Sequence, residues 1–344
     1  MTPLVVLASS ISRDRALAAL AEDPFRPAWW ARSGLLQTLA ALRAPRVAAV
    51  ASEICTTPDD DELHVHFGPG GDSSSRAPVV LLLHGLEGSR ESSYVRETMR
   101  RAAGSGWRTV ALEFRSCGGR ANRARRSYHS GETTDLAFVV AKLAARFPGA
   151  SLGIVGWSLG ANVLLKWLGE VGDKAPPELV AAVAVSAPFD LAVGADRCDR
   201  YLGGVIARHF LRTLIPKAIA KAARFPGYCD VAAVRACRTL RGFDDLVTAP
   251  VHGLRDAAHY YRTQSSGPFL PAIRRPVLLL SAADDPLSRP DVLPHAAVAA
   301  SPFLVPCFPA HGGHVGFVAG GTPWRPRRWA EACAERFLGL HFGG

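Results

Sequence analysis

The chain is 344 residues long, 48% hydrophobic and 20% charged, enough to bury a large core as one big domain or as a domain carrying an insertion. Its formal charge of +10 would suit an anionic partner. Only five of its 40 basic residues are lysines, however, and the arginines are scattered rather than gathered on one aromatic-studded strip, so nucleic acid is not expected. The seven cysteines are odd in number and never spaced Cys-x-x-Cys, which argues against a zinc site and a disulfide framework and fits a reducing cytoplasm.

Pro3 to Ser10 is a short apolar run with no basic residue ahead of it, a poor signal peptide, and no run approaches the roughly 20 apolar residues of a membrane span. The expectation is a cytoplasmic protein whose first 25 residues, weakly periodic, are peripheral. Arg46 to Ile54 and Leu63 to Phe67 read as two antiparallel opening strands joined through Pro58-Asp59-Asp60-Asp61, and Pro69 to Pro78, rich in Gly and Ser, as a surface loop. Further strands are expected at Val79 to Leu83, Thr109 to Phe114, Leu152 to Val155, Val180 to Val185, Val277 to Ser281 and Phe303 to Phe308. Helical patterns cover Glu91 to Ala103, Glu132 to Arg146, Ala161 to Gly169, Asp291 to Ala300 and Arg327 to Leu338. This alternation is the pattern of a mostly parallel eight-stranded sheet with helices on both faces.

The alternation is interrupted once, between Pro188 and Pro268, by a mostly helical stretch that belongs over one end of the sheet. The expected organisation is an N-terminal extension (1–43), the first part of an α/β core (44–188), a helical cap insertion (189–267) and the second part of the core (268–344). Within the cap, 12 basic residues face seven acidic ones. Tyr201 to Ile215 sets Leu, Ile and Phe at helical spacings between arginines, giving one apolar and one basic face.

Gly156-Trp157-Ser158-Leu159-Gly160 falls where the strand Leu152 to Val155 gives way to a helix. The pattern G-x-S-x-G alone is weak, and its strand-turn-helix setting gives it weight. A nucleophile at such a turn takes a strained backbone, and the residues two positions either side must lack bulk so that strand and helix can approach. A serine hydroxyl needs a base, and the base an orienting carboxylate. Val277-Leu-Leu-Leu-Ser-Ala-Ala-Asp-Asp-Pro286 supplies Asp284 and Asp285 after one late strand, with Asp285 favoured because it directly precedes Pro286. Cys307-Phe-Pro-Ala-His-Gly-Gly-His-Val-Gly316 supplies His311 and His314 after the next. The buried strand Val79 to Leu83 ends in His84-Gly85, leaving the Leu86 N–H free to join that of Leu159 as an oxyanion hole. Elbow, His-Gly turn, acid and histidine at the right strand ends together define an α/β-hydrolase fold.

On these residues the chain resembles the bacterial YheT-like esterases, which are similar to the eukaryotic abhydrolase-domain proteins 1 to 3. The blocks that carry the resemblance are FRPAWW at 25–30, LQTL at 36–39, HGLEGS at 84–89, NR at 122–123, RSYHSGET at 126–133, GWSLGANVLLKWLGE at 156–170, VSAPFDL at 185–191, FDD at 243–245, DDP at 284–286 and GGHVGF at 312–317. The resemblance implies a carboxylic ester hydrolase with the triad Ser158, Asp285 and His314, the GGHVGF block deciding for His314. Leu35, where the family usually has a histidine, and Arg115-Ser-Cys-Gly-Gly119, where Arg-Gly-Cys-Ser-Gly is more usual, are departures outside the triad. The expected partner is a small-molecule or lipid ester, with no cofactor and no metal. Thioester or amide hydrolysis by the same residues, and a non-catalytic acyl-ligand binder, are the alternatives. The basic cap is compatible with a weak membrane-surface association.

Blander readings attach to the remaining features. His64-Val-His66 reads as strand rather than metal site, Arg120 to Arg126 as a solvated loop rather than an anion grip, and Cys198, Cys229 and Cys237 as inert. Ser130 or Thr133 is expected to cap the helix after Glu132, and His84 to fix its turn by hydrogen bonds to backbone.

Overall fold

Val79–Leu83 (β3) is five apolar residues, all buried, and it alternates strictly between two cores. Val79, Leu81 and Leu83 face one apolar cluster while Val80 and Leu82 face the other. A strand buried on both faces has no polar position, so its sequence reads as a continuous apolar run. The computed structural model describes residues 11–42, 51–70 and 76–343. Around β3 it arranges β1 (Ala51–Thr56), β2 (Glu62–Phe67), β4 (Arg108–Glu113), β5 (Leu152–Trp157), β6 (Leu179–Val185), β7 (Val277–Leu280) and β8 (Leu304–Cys307) in the order β1-β2-β4-β3-β5-β6-β7-β8. The pairings β1·β2 and β2·β4 are antiparallel and the other five parallel. Of the expected first strand, residues 46–50 lie outside the described residues.

Helices α1 (Arg13–Ala21), α3 (Ser93–Gly104) and α13 (Trp329–Phe342) cover one face of the sheet, contributing Ala16, Leu20, Val95, Met99, Phe337 and Leu338 to its core. Helices α4 (Thr134–Arg146), α5 (Leu159–Val171) and α12 (His295–Ala300) cover the other. Of the first 25 residues, 1–10 lie outside the described residues, and the rest are not peripheral, since Ala16 and Leu20, four apart, put one apolar edge of α1 into the core. A further short helix, α2 (Gly34–Ala40), packs near the carboxyl ends of β7 and β8, with Gln37 fully buried. Between β6 and β7 run α6 (Leu191–Arg200), α7 (Val205–Arg224), α8 (Val231–Ala236), α9 (Leu240–Phe243), α10 (Ala249–Val251) and α11 (Ala257–Gln264). No helix of the described residues is long and apolar enough to cross a membrane.

Several boundaries differ from the sequence expectation. The segment 291–300 is split at Pro294, which removes a backbone donor and leaves only His295–Ala300 as α-helix. The expected Arg327 to Leu338 helix starts at Trp329, because Arg325–Arg328 (β10) pairs with Val318–Thr322 (β9) as an antiparallel hairpin. Its Gly320-Gly321 and Pro323 were the turn signal. Helix α4 is capped not by the hydroxyl of Ser130 or Thr133 but by Glu132, whose Oε1 accepts the N–H groups of Thr134 (2.8 Å) and Asp135 (3.3 Å). Helix α7 begins four residues after Tyr201, because Leu202, Gly203 and Gly204 all have positive φ.

Arg115, just beyond β4, is 1% exposed and spends all five of its N–H donors on three carboxylates. Nε and Nη2 bond Asp135 (2.7 and 2.7 Å), Nη1 bonds Asp59 (2.9 Å) and Asp61 (2.7 Å), and Nη2 also bonds Asp59 (2.9 Å). This ties the β1–β2 turn to the start of α4, and the guanidinium holds the Asp59 carboxyl well below the usual carboxylate range. Replacing it by Met strands the buried Asp61 without its cation and leaves Asp135 only the longer contact to Arg126 (3.4 Å), so Arg115→Met is expected to lose about 3–5 kcal/mol in urea unfolding. A loss under about 1 kcal/mol would mean that the cluster holds nothing together.

Candidate active site

The sheet reverses its growth direction at β3. β4 lies to one side of it and β5 to the other, so the loops after β3 and β5 diverge and open a crevice at the carboxyl ends. Both loops carry predicted site residues. After β5 the chain turns at Ser158, with φ 51° and ψ −117°, directly into α5. That turn demands small neighbours: a Cβ on Gly156 would sit 2.6 Å from the Gly160 carbonyl oxygen, and one on Gly160 would sit 2.5 Å from that of Leu83. The strained residue is held by its own N–H, which donates to the Val185 carbonyl at 2.9 Å.

The Ser158 Oγ lies 2.8 Å from His314 Nε2, and His314 Nδ1 lies 2.8 Å from Asp285 Oδ2. A carboxylate only accepts, so Nδ1 carries the proton and Nε2 is left to accept from the serine hydroxyl. Asp285 is 5% exposed, and its other oxygen accepts the Leu287 N–H at 2.7 Å. The competing pair lies elsewhere. His311 is half exposed and meets Asp284 at 3.2 Å, while Asp284 also accepts the Gly313 N–H at 2.9 Å and so braces the histidine loop. Leu159 opens α5, and Leu86 follows the His84-Gly85 turn. Both line the same cavity as Ser158 and His314, and among the described residues neither backbone N–H has a protein acceptor. His84 donates from Nδ1 to the Gly85 carbonyl (2.7 Å) and accepts the Phe114 N–H at Nε2 (3.1 Å). Full burial pushes its pKa down to about 4, so it is a neutral turn-fixing group.

The cavity measures about 170 Å³ and is mainly apolar, walled by Phe210, Leu214, Phe243, Val247 and Leu191 from the segment between β6 and β7. The rings of His129 and His252, which also line it, have centroids 4.3 Å apart, and burial lowers the pKa of both, to about 3 and about 4, so that they are neutral. The thiol of Cys198 is raised to about 12 by burial, which makes it unreactive. The arginine run is occupied in contacts: Arg126 bonds Asp59 (2.8 Å) and Glu132 (2.7 Å), Arg123 pairs with Glu62 (2.5 Å), and Arg120 meets His64 (3.0 Å). His66 pairs with Glu113 at 3.0 Å, a carboxylate remote in sequence, and no group of metal-binding character occurs among the described residues.

Sequence reasoning missed what holds the histidine loop. The His314 N–H donates to Thr38 Oγ1 (2.9 Å) and the Val315 N–H to Ser186 Oγ (3.0 Å). Gln37 accepts the Val318 N–H (2.6 Å) and donates to the carbonyls of Ala31 (2.5 Å) and Val318 (3.0 Å). Gln37 and Thr38 belong to the LQTL block, but a glutamine in a short helix carries no signal of which loop it will meet.

Residues 78–321 match the family model described as alpha/beta hydrolase fold, and the chain belongs to that family. Within it the chain is YheT-like and a hydrolase: it is 37% identical over 277 residues, 80% of each chain, to the Escherichia coli (strain K12) protein named "Putative esterase YheT". It is also similar to a monoacylglycerol lipase of Saccharomyces cerevisiae (31%, over 82% of this chain and 62% of that one) and to phospholipase ABHD3 of Homo sapiens (26%, 92% and 78%). The Pyrococcus furiosus esterase Pf2001 shares the fold at a TM-score of 0.56, with 18% identity over 88% of this chain and 98% of that one.

Substituting Gln37 by Leu keeps the bulk but leaves the buried Val318 N–H and the Ala31 carbonyl without partners, each worth about 1–3 kcal/mol, while the Val318 carbonyl keeps the Ala28 N–H (2.9 Å). Gln37→Leu should lower the thermal midpoint and the activity together, by loosening the segment after His314. Unchanged calorimetry would show that this bracing is not needed.

Proposed function

We propose that the chain is a serine hydrolase that cleaves carboxylic esters through an acyl-enzyme, with Ser158 as nucleophile, His314 as general base and acid, and Asp285 as the carboxylate that orients it. The observation that carries this reading is the continuous chain of two 2.8 Å hydrogen bonds from Ser158 through His314 to Asp285. In the first half-reaction His314 Nε2 takes the hydroxyl proton as Oγ attacks the acyl carbon, and Asp285 stabilises the imidazolium. The carbonyl oxygen becomes an oxyanion that the N–H groups of Leu86 and Leu159 stabilise, the latter aided by the positive end of α5. His314 then gives its proton to the departing alkoxide. In the second half-reaction it activates water against the acyl-enzyme.

The substrate we propose is an uncharged or lipid-like ester, and the helices of 189–267 act as a cap over the serine. Supporting this are the apolar walls that Phe210 and Leu214 of α7 give the cavity, and the lipid-acting names of the relatives. A fluorophosphonate probe should label Ser158 stoichiometrically, and Ser158→Ala should stay folded but lose both labelling and hydrolysis of p-nitrophenyl butyrate. Asp285→Asn should cost about 10⁴ in kcat, as loss of the orienting carboxylate does in serine proteases, and Asp284→Asn much less. Labelling at another serine, or the reverse ranking of the aspartates, would overturn the assignment.

Each buried methylene should add up to about 0.8 kcal/mol, or nearly fourfold, to kcat/KM. Activity on p-nitrophenyl esters should therefore rise from acetate through butyrate to octanoate, and Phe210→Asn should flatten the series. An enzyme fastest on acetate and indifferent to Phe210 would show that this face of α7 only packs.

A further inference from the structure

The oxyanion turn is fastened to helix α7 by one ion pair. Glu87 directly follows Leu86, has a positive φ of 56°, and its side chain is only 8% exposed. An L-residue held there costs on the order of 1 kcal/mol or more and persists only where its surroundings fix it. The Glu87 N–H donates to the Tyr128 hydroxyl (2.9 Å), which donates in turn to Glu87 Oε1 (2.8 Å). Lys217 of α7 then closes on both carboxylate oxygens, at 2.8 Å to Oε1 and 2.7 Å to Oε2. The rest of the turn is held from the core alone: the Gly85 N–H donates to the Tyr94 hydroxyl (2.9 Å), and the Gly85 carbonyl accepts from Gly88 N–H (3.0 Å) and from His84.

The same side of α7 makes two further attachments. Lys221 donates to the carbonyls of Ala124, Arg125 and Arg126, and Arg224 to those of Asn122 (3.2 Å) and Arg123 (3.2 Å). Residues 217, 221 and 224 are spaced four and three apart, so these cations form one stripe on the helix. Much of the basic character of the helix is thus turned onto the core rather than offered to solvent. Lys217 is the member of the stripe that reaches the catalytic crevice, where it lines the cavity with Leu86, Ser158 and His314.

We infer that Lys217 is a positioning residue for catalysis: by pairing with Glu87 it sets the Leu86 N–H and neutralises a buried carboxylate one residue from the developing oxyanion, so the oxyanion hole is complete only while α7 is docked. This rests on the Ser158 reading above. Two effects follow from removing the ammonium. Among the described residues the turn loses its only hydrogen-bonded tie to α7, and the Glu87 carboxylate is left largely buried with Tyr128 as its sole side-chain donor. In a poorly solvated crevice an uncompensated negative charge disfavours a second one forming nearby. The charge is therefore worse than the broken bridge.

That distinction gives the test. Lys217→Met, Lys217→Arg, Glu87→Gln and the double variant Glu87→Gln/Lys217→Met are compared for kcat and KM on p-nitrophenyl butyrate and for the rate of fluorophosphonate labelling at Ser158, with circular dichroism and thermal melting as the fold control. Lys217→Met should lose about tenfold to hundredfold in kcat, the cost of a misplaced or opposed oxyanion donor, with KM changed less than about threefold and labelling slowed in parallel. Lys217→Arg should recover most of the loss. Glu87→Gln and the double variant should both be milder than Lys217→Met, because neither leaves a buried negative charge beside the oxyanion: the charge that Glu87→Gln unpairs is the ammonium of Lys217, positive and 34% exposed. Equal losses in Lys217→Met and Glu87→Gln, or a double variant worse than either single, would reduce the pair to a plain structural tie and overturn the inference, as would an unchanged kcat in Lys217→Met. Should Lys217→Met melt below the assay temperature, the ranking of Glu87→Gln against Lys217→Arg decides: the inference requires Lys217→Arg to be the more active. Failure of the wild-type chain to label at Ser158 would instead overturn the serine reading, and the role of Lys217 with it.

Discussion

The backbone of Ser158, at φ 51° and ψ −117°, is the constraint around which the rest of the site is built. A β-strand that runs straight into a helix can present a side chain at its corner only if that residue leaves the ordinary regions of φ/ψ space, and the strain has to be met by the surroundings. Here the neighbours at 156 and 160 are glycines whose missing Cβ atoms let α5 lie against the ends of β3 and β5. The Val185 carbonyl, at the end of the adjacent strand β6, accepts the serine N–H. Three strands and a helix thus over-determine one residue, and the hydroxyl is left with no freedom except rotation toward His314.

A similar logic governs the histidine loop, where Gly312, Gly313, Val315 and Phe317 all have positive φ. Two β-branched or aromatic residues in that region are not stable on local grounds. They are held from outside, by Thr38 and Gln37 of α2, by Ser186 after β6 and by Asp284 after β7. Burial of Phe317 against Phe25 and Trp329, with ring centroids 5.7 and 6.3 Å away, fixes the far end of the loop. An N-terminal segment that lies far from the site in sequence is therefore part of what aims the imidazole.

The polar groups around the crevice divide by what faces them. Arg115 is surrounded by carboxylates that use every donor it has, and this cluster ties the outer strands to α4 without touching the cavity. The Glu87 and Lys217 pair is of a different kind, joining two segments that share no strand and meeting at the cavity wall. Between them the cavity walls are mainly apolar, and on the proposed mechanism this poorly solvated setting would strengthen the contact of fixed N–H dipoles with charge developing at the serine.

Much of the architecture was legible in the sequence because a sheet buried on both faces writes itself as apolar runs of four to seven residues, visible at Val79, Leu152, Leu179 and Val277. The candidate nucleophile, acid and histidine were legible because Ser158 directly follows one such run and the other two stand in the loops after later strands, and the small residues around Ser158 are required by a turn that is local in the chain. What the sequence could not fix was local only in space. Whether Asp284 or Asp285 turns toward His314 depends on the path of one loop between two strands, and the capping role of Glu132 over Thr133 on a side chain folding back on its own helix. Gln37, Arg115 and the pairing of Lys217 with Glu87 were invisible for the same reason. Hydrogen bonds across 130 or 281 residues of chain leave no periodicity, so only the packing of helices against the sheet decided which groups would meet.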